Sequence, residues 1–265
     1  MAQNPRIRGL ILDMDGVLWR GQEPLGNLER IFERIHNHKL RVTLATNNAT
    51  RSVTQYLDKL RGFGVSLEAW QIINSSMATV EYLRKQYSSG QPVYVVGDVG
   101  LLETLSAAGF YHTEDQPVAV IVSMDREFTY QKLAIAQRKI LAGAAFIGTN
   151  PDLTFPNPGG LTPGAGSIIA AVQAATGVEP VMIGKPQPEM FRLALERLGC
   201  LPEQTLVVGD RLETDIAGGQ AAACLTGLVL SGVTSPSAAE SWDPPPTFIA
   251  ADLNSLLNRI LNGHE

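Results

Sequence analysis

The chain has 265 residues, which is enough for one large domain or two smaller ones, each with a hydrophobic core. Its 21 basic and 26 acidic side chains give a net charge of −5 without a basic run, so neither nucleic acid nor a membrane surface is an expected partner. Because no apolar stretch approaches the roughly 20 residues of a membrane-spanning helix, and the first residues lack the apolar centre of a signal peptide, we expect a cytoplasmic protein.

The first predicted strand ends in two acidic residues. An apolar run at residues 7–12 predicts a strand buried on both faces, and Asp13 and Asp15 follow it directly. Two ionised carboxylates this close repel each other unless a cation lies between them. Since α/β folds keep their sites at the carboxyl ends of parallel strands, the pair favours a metal-assisted nucleophile with a proton-transfer partner. The alternative is a loop whose Asp residues only form Asx turns.

A second predicted strand, at residues 41–45, ends in small polar side chains. Thr46 and Asn47 follow it, and a helix begins near residue 51. Hydroxyl and amide groups ahead of a helix N-terminus are suitable donors to an anion. Capping of the helix by Thr50 or Ser52 is the alternative, and it leaves Thr46 and Asn47 available.

The middle of the chain alternates between predicted helices and strands. Helices are predicted at residues 75–86, 99–108 and 130–142, and strands at residues 93–96, 119–123 and 145–148. This alternation predicts an α/β protein with parallel sheets. About 100 residues are too many for a loop, so we predict an inserted α/β cap domain at residues 75–177 and a core formed by residues 1–74 plus 178–265.

Two further strand ends carry polar residues. A strand predicted at residues 180–183 ends in Gly184 and Lys185, and one at 206–208 ends in Asp210, with Asp215 five residues later. Parallel strands bring their ends to one edge, so we expect all four strand ends to form a single site. The sequence VVGD occurs twice, and we interpret the earlier copy, which ends in Asp98, as a turn within the cap.

Four motifs give the chain a family resemblance. They are DMDGV at residues 13–17, ATNNA at 45–49, GKP at 184–186 and GDRLETD at 209–215. The chain resembles phosphatases of the haloacid dehalogenase (HAD) superfamily, and most closely the p-nitrophenyl-phosphatase-like subfamily (class IIA) with a large α/β cap. TNPD at residues 149–152 and GAG at 164–166 extend the resemblance. It implies a Rossmann-like, doubly wound parallel-sheet core with an inserted smaller α/β cap domain.

The resemblance also implies an activity, that of a Mg²⁺-dependent phosphatase acting through an aspartyl-phosphate. Asp13 would be the nucleophile, and Asp15 would protonate the leaving group and then deprotonate the attacking water. Thr46, the backbone of Asn47 and the side chain of Lys185 would hold the phosphoryl group.

The implied Mg²⁺ ligands are Asp13, the carbonyl of Asp15, Asp210, and Asp215 either through water or as an orienting residue. The expected substrates are small phosphate esters of the sugar phosphate, nucleotide, phosphoglycolate or p-nitrophenyl phosphate type. Asn150 and Asp152 are candidates for selecting the leaving group.

Two other functions remain open at this stage. A phosphotransferase or phosphomutase of the same fold would pass the phosphoryl group to an alcohol. A signalling receiver would keep the phosphoryl group on an Asp, but the DMDG spacing and the inserted cap argue against a receiver.

Two smaller questions also remain open. Trp19 either contacts substrate or belongs to the core. The resemblance allows a homodimer through the cap, which no feature of the sequence requires.

Overall fold

The computed structural model describes residues 7–157 and 160–261. The chain forms two compact units. Of the described residues, the first unit contains 7–46, 54–73 and 186–261, and the second contains 47–53, 74–157 and 160–185. Assignment of residues 75–177 to an inserted cap domain stays a prediction.

Helices and strands alternate along the chain. The strands are β1 (Gly9–Leu12), β2 (Trp19–Arg20), β3 (Glu23–Pro24), β4 (Arg41–Thr46), β5 (Ile72–Asn74), β6 (Pro92–Val96), β7 (Tyr111–His112), β8 (Ala119–Val122), β9 (Ala145–Gly148), β10 (Thr154–Asn157), β11 (Gly160–Pro163), β12 (Val181–Met182), β13 (Thr205–Gly209), β14 (Leu225–Val229) and β15 (Phe248–Ala250). The helices are α1 (Leu28–Asn37), α2 (Val53–Gly62), α3 (Ser75–Gln86), α4 (Val99–Ala107), α5 (Tyr130–Leu141), α6 (Ala165–Thr176), α7 (Pro188–Leu198), α8 (Ala217–Ala221), α9 (Pro236–Ser241) and α10 (Leu253–Leu261).

The first unit is built on a six-stranded sheet with the order β15-β14-β13-β1-β4-β5. From β1 the chain adds β4 and β5 on one side, and β13, β14 and β15 lie on the other, which is the doubly wound arrangement. Leu12 of β1 lies opposite Leu44 of β4 and Val208 of β13, in parallel pairing. The residues that follow these three strands therefore emerge at the same edge of the sheet. The predicted α/β class and Rossmann-like core are confirmed.

Helix α1 shows why these sequences form these elements. Its apolar residues recur every three or four positions, so one face is buried against the sheet while the other carries charges. Asn27 caps the helix, because its Oδ1 accepts a hydrogen bond of 3.0 Å from the amide of Arg30. The buried residues of this helix are Leu28, Ile31, Phe32 and Ile35.

The second unit has its own parallel sheet, of five strands in the order β12-β9-β8-β6-β7. Val120 and Val122 of β8 and Val172 of α6 lie in a core that is almost fully buried. Strands β10 and β11 form a separate antiparallel pair. Among the described residues, no helix combines the length and apolar character needed to cross a bilayer.

One strand lies in a different sheet from the one expected. Strand β12, which precedes Lys185, pairs with β9 through Val181–Ile147 and Met182–Gly148. The expectation that one sheet supplies all four polar strand ends is therefore wrong for this strand. The physical reason is that β12 has only two residues and neither is fully buried, so its apolar pattern does not specify a neighbour.

Candidate active site

Three carboxylates meet at the carboxyl edge of the first sheet. Asp13 follows β1, Asp210 follows β13, and Asp215 lies on a single π-helical turn, Leu212–Ile216. One oxygen from each carboxylate lies within 4.8 Å of the other two. Asp210 and Asp215 are 2% and 1% exposed, and Asp13 is partly buried. These are three of the four Asp residues predicted from the sequence to bind a metal.

Asp210 is fixed by the backbone around it. The amide of Val233 donates a hydrogen bond of 2.8 Å to its Oδ2, and the amide of Thr234 donates one of 3.2 Å to its carbonyl. Two glycines leave room for the carboxylate. A Cβ on Gly16 would lie 2.4 Å from Oδ2 of Asp210, and one on Gly232 would lie 1.8 Å from it. A larger residue at either position would displace the carboxylate.

Asp215 is held by the turn that carries it. The amide of Arg211 donates to Oδ2 of Asp215 at 3.2 Å, and the amide of Asp215 donates to the carbonyl of Arg211 at 3.1 Å. A Cβ on Gly209 would lie 2.1 Å from the Cβ of Asp215, so the end of β13 must be glycine for the turn to fold back this closely. Single π-helical turns are often found at functional sites.

The acidic cluster of Asp13, Asp210 and Asp215 fits a hard metal ion. Ionised carboxylates at these separations repel each other, and the burial of Asp210 and Asp215 adds the cost of removing their charge from water. A divalent cation with a preference for oxygen ligands would compensate that charge. All three side chains offer carboxylate oxygen, and the common separation allows them to share one ion.

Asp15 has a different environment from Asp13. Its side chain is exposed, and Oδ1 accepts a hydrogen bond of 2.9 Å from Nε1 of Trp19. Trp19 itself is 1% exposed. Of the two interpretations of Trp19 that the sequence left open, the structure supports the core position. A metal-binding role for the Asp15 carbonyl stays a prediction.

A second polar cluster, in the second unit, surrounds Asn47 and Lys185. Oδ1 of Asn47 accepts a hydrogen bond of 2.7 Å from the amide of Lys185, and Nδ2 donates one of 3.0 Å to the Lys185 carbonyl. Nδ2 also lies 3.2 Å from Oδ2 of Asp152. Lys185 is 3% exposed. The side chain of Asn47 therefore fixes the backbone of the GKP loop.

The backbone of Asn47 is fixed in turn by the second unit. Its carbonyl accepts hydrogen bonds from Oγ of Ser75, at 2.7 Å, and from Nδ2 of Asn150, at 2.8 Å. Oδ1 of Asn150 accepts a hydrogen bond of 3.2 Å from the amide of Asp152. The TNPD and GKP motifs are thus linked through Asn47. Sequence reasoning missed Ser75, whose only signal is a hydroxyl at the start of a helix.

Thr46, the remaining predicted phosphate-binding residue, is the last residue of β4 and is buried. It therefore lies at the same sheet edge as Asp13. Like the roles of the other site residues, its role stays a prediction.

The comparisons with known proteins agree with this architecture. A family model described as haloacid dehalogenase-like hydrolase matches residues 10–111, and one described as HAD-hydrolase-like matches residues 182–256. An acid sugar phosphatase from Staphylococcus saprophyticus is 34% identical over 254 residues, which cover 96% of this chain and 98% of the relative. The chain belongs to the haloacid dehalogenase-like hydrolases.

Solved structures of this family are also similar to the chain. A p-nitrophenyl phosphatase from Archaeoglobus fulgidus has a TM-score of 0.90 and 31% identity, and the match covers 96% of this chain and 99% of the other. A glycerol phosphate phosphatase from Mycobacterium tuberculosis, in complex with magnesium, has a TM-score of 0.88 and 34% identity, with coverage of 95% and 76%. The predicted resemblance to the p-nitrophenyl-phosphatase-like subfamily of the HAD hydrolases is confirmed.

Proposed function

We propose that this HAD hydrolase is a Mg²⁺-dependent phosphatase that hydrolyses small phosphomonoesters through an aspartyl-phosphate on Asp13. The observation that carries the proposal is the separation of the two leading acids. Asp13 shares a cluster with Asp210 and Asp215, whereas the carboxylate of Asp15 is exposed and bound to Trp19. This difference supports metal-assisted attack by Asp13 and proton transfer by Asp15.

The reaction has two balanced steps. A carboxylate oxygen of Asp13 bonds to phosphorus while the ester P–O bond breaks, and Asp15 gives its proton to the departing alkoxide. Water then attacks the phosphorus of the aspartyl-phosphate, Asp15 takes a proton from that water, and the P–O bond to Asp13 breaks. Inorganic phosphate and an alcohol are the products, and both Asp residues return to their starting state.

The residues that would hold Mg²⁺ are Asp13, Asp210 and the Asp15 carbonyl, with Asp215 binding through water or orienting the others. When bound, the ion supplies positive charge that offsets both the carboxylates and the oxygens of the transferring phosphoryl group. Support for Mg²⁺ comes from the all-carboxylate donor set and from the magnesium in the mycobacterial relative's structure.

We assign phosphate binding to Thr46, Asn47 and Lys185, as the resemblance implies. The amide side chain of Asn47 is bonded to the Lys185 backbone, so its contribution to phosphate would come from its main-chain N–H. Asn150 and Asp152 remain candidates for selecting the leaving group, and their hydrogen bonds to Asn47 also support a role in shaping the loop. A homodimer stays a prediction.

Small phosphate esters are the proposed substrates because the relatives carry such names: acid sugar phosphatase, p-nitrophenyl phosphatase and glycerol phosphate phosphatase. The test is a panel containing p-nitrophenyl phosphate, glycerol phosphate, hexose phosphates, phosphoglycolate and a nucleoside monophosphate. Released phosphate is measured with Mg²⁺ and after chelation by EDTA. Hydrolysis that depends on Mg²⁺ supports the proposal, and no release from any ester contradicts it. Transfer to an added sugar in place of release would indicate the phosphotransferase.

The repeated VVGD sequence offers a matched control for the metal site. Asp210→Asn is expected to abolish Mg²⁺-dependent release. Asp98→Asn changes the equivalent residue of the second copy, which contacts Arg126 within the second unit. Its activity should stay near that of the wild type. Equal losses in both variants would contradict the assignment of Asp210 to the metal.

A further inference from the structure

The side chain of Asp15 is tied to a buried indole. Nε1 of Trp19 donates to Oδ1 of Asp15 at 2.9 Å, across four positions of sequence. The two residues are also joined through a β-bridge, and the amide of Gly16 donates to the carbonyl of Trp19 at 2.8 Å. The backbone and the side chains therefore hold Trp19 and Asp15 together by independent contacts.

Lys59 fixes the face of the Trp19 indole. Nζ of Lys59 lies 4.0 Å from the centroid of the ring. Phe63 is a more distant packing neighbour, with its ring centroid 6.1 Å away and its plane tilted by 40°. Lys59 is anchored by a hydrogen bond of 2.7 Å to the carbonyl of Gly21. Because Trp19 is 1% exposed, its ring has little freedom to reorient.

We propose that Trp19, with Lys59 over its ring, is a positioning residue that holds the Asp15 carboxylate in the orientation needed for proton transfer to the leaving group. This inference rests on the proposed phosphatase function. Trp19 does not touch the reacting atoms. It acts through Asp15, and Lys59 acts through Trp19.

Three physical effects make this arrangement suited to the task. A buried indole N–H requires a partner, and the carboxylate of Asp15 supplies one. A cation on the face of an indole is attracted to the ring, which fixes the plane in which the N–H points. When Asp15 carries its proton, Oδ1 can still accept the hydrogen bond from the indole, which leaves the other carboxyl oxygen to hold the proton for transfer. An exposed carboxylate that would otherwise sample several rotamers is thus restricted to one, and such restriction increases rate.

The first test is spectroscopic and needs neither metal nor substrate. The chain has three Trp residues, so indole ¹⁵N-labelling gives three N–H signals, and Trp19→Phe identifies the one from Trp19. Asp15→Ala is expected to move this proton upfield, because its carboxylate acceptor is lost. Lys59→Met is expected to shift it as well. An unchanged Trp19 signal in Asp15→Ala overturns the proposal.

The second test separates positioning from general damage by changing the leaving group. Glycerol phosphate has a basic alkoxide leaving group that requires protonation, whereas p-nitrophenolate departs with little help. In Trp19→Phe, kcat/KM for glycerol phosphate should fall by on the order of tenfold relative to kcat/KM for p-nitrophenyl phosphate, a part of the 10²–10⁴-fold that a general acid contributes. The value of kcat/KM depends only on the steps up to and including transfer of the phosphoryl group to Asp13. The later hydrolysis of the aspartyl-phosphate therefore does not affect it.

Phe63→Leu is the matched control, because it alters packing on the same indole without touching its bond to Asp15. The ratio of the two kcat/KM values should stay at the wild-type value in this variant. Equal loss for both esters in Trp19→Phe, or the same change of ratio in Phe63→Leu, overturns the positioning role. A wild-type chain that hydrolyses neither ester contradicts the proposed function itself, and the positioning role is overturned with it.

Discussion

The amide of Lys185 donates a hydrogen bond of 2.7 Å to Oδ1 of Asn47, and Nδ2 of Asn47 returns one of 3.0 Å to the Lys185 carbonyl. The two residues are 138 positions apart in the sequence. Paired donors and acceptors fix both the position and the rotation of the Lys185 peptide group. The orientation of this lysine thus depends on a side chain from the second motif.

Replacement of Asn47 is expected to affect Lys185. In Asn47→Ala, the buried amide and carbonyl of Lys185 lose their partners, which should lower the free energy of unfolding by about 1–3 kcal/mol. If Lys185 binds the phosphoryl group, its displacement should reduce kcat/KM by on the order of 10²-fold. Thermal unfolding and initial rates with p-nitrophenyl phosphate measure the two effects.

Asn48→Ala is the control for this variant. It removes the same type of side chain one residue later, where Oδ1 of Asn48 accepts hydrogen bonds from the amide and hydroxyl of Thr50. Some loss of stability and a small change in rate are expected. If Asn47→Ala and Asn48→Ala lose activity equally, the special role of the Asn47–Lys185 pair is wrong.

Gly16→Ala should weaken metal binding. The new Cβ would lie 2.4 Å from Oδ2 of Asp210, so that carboxylate must move. Gly16 also has φ +87°, where an L-residue costs about 1–2 kcal/mol. The expected result is a higher Mg²⁺ concentration for half-maximal activity together with a lower melting temperature.

Gly21→Ala separates these two effects. Gly21 also has a positive φ, of +60°, but a Cβ there meets nothing within 4 Å. This variant should lose stability and keep the wild-type Mg²⁺ dependence. A shifted Mg²⁺ dependence in Gly21→Ala, or an unshifted one in Gly16→Ala, would show that Asp210 is not the affected ligand.

His112 predicts a pH dependence for the stability of the second unit. Its Nδ1 accepts a hydrogen bond of 3.0 Å from the amide of Val95, which only the unprotonated nitrogen can do. Burial lowers the pKa of His112 below its usual 6.5, Glu114 acts in the opposite direction, and Lys132 lowers it further. The His112 side chain therefore binds a proton more readily in the unfolded chain than in the folded one. Unprotonated His112 stabilises the fold above pH 6.5, and this contribution is lost as the pH falls through the lower, folded-state pKa.

His112→Gln provides the comparison, because it removes the titrating group. Between pH 7.5 and pH 5 the melting temperature of the wild type should fall further than that of the variant. The remaining described histidines, His36 and His38, are common to both proteins and cancel in the difference. Parallel curves would contradict the role given to His112.

The acidic cluster was predictable from sequence because buried strands have a fixed direction. Asp13 and Asp210 each follow an apolar run, and parallel register brings such ends to one edge. Lys185 follows a strand of two half-exposed residues, whose sheet cannot be deduced from its pattern. The partners of the Asn47 side chain could not be deduced from the sequence, because its contacts with Lys185 and Asp152 span more than 100 positions. Trp19 stayed ambiguous until its burial was known.

Formation of a phosphoryl ester on Asp13 is the central claim, and trapping that ester tests it most directly. Asp15→Asn lacks the base that activates water, so reaction with p-nitrophenyl phosphate and Mg²⁺ should release nitrophenol in a burst equal to the enzyme present and then slow. Peptide mapping of the acid-quenched protein should place the phosphoryl group on Asp13, and Asp13→Asn should show neither burst nor label. A label on any other residue, or full turnover by Asp13→Asn, would contradict the account.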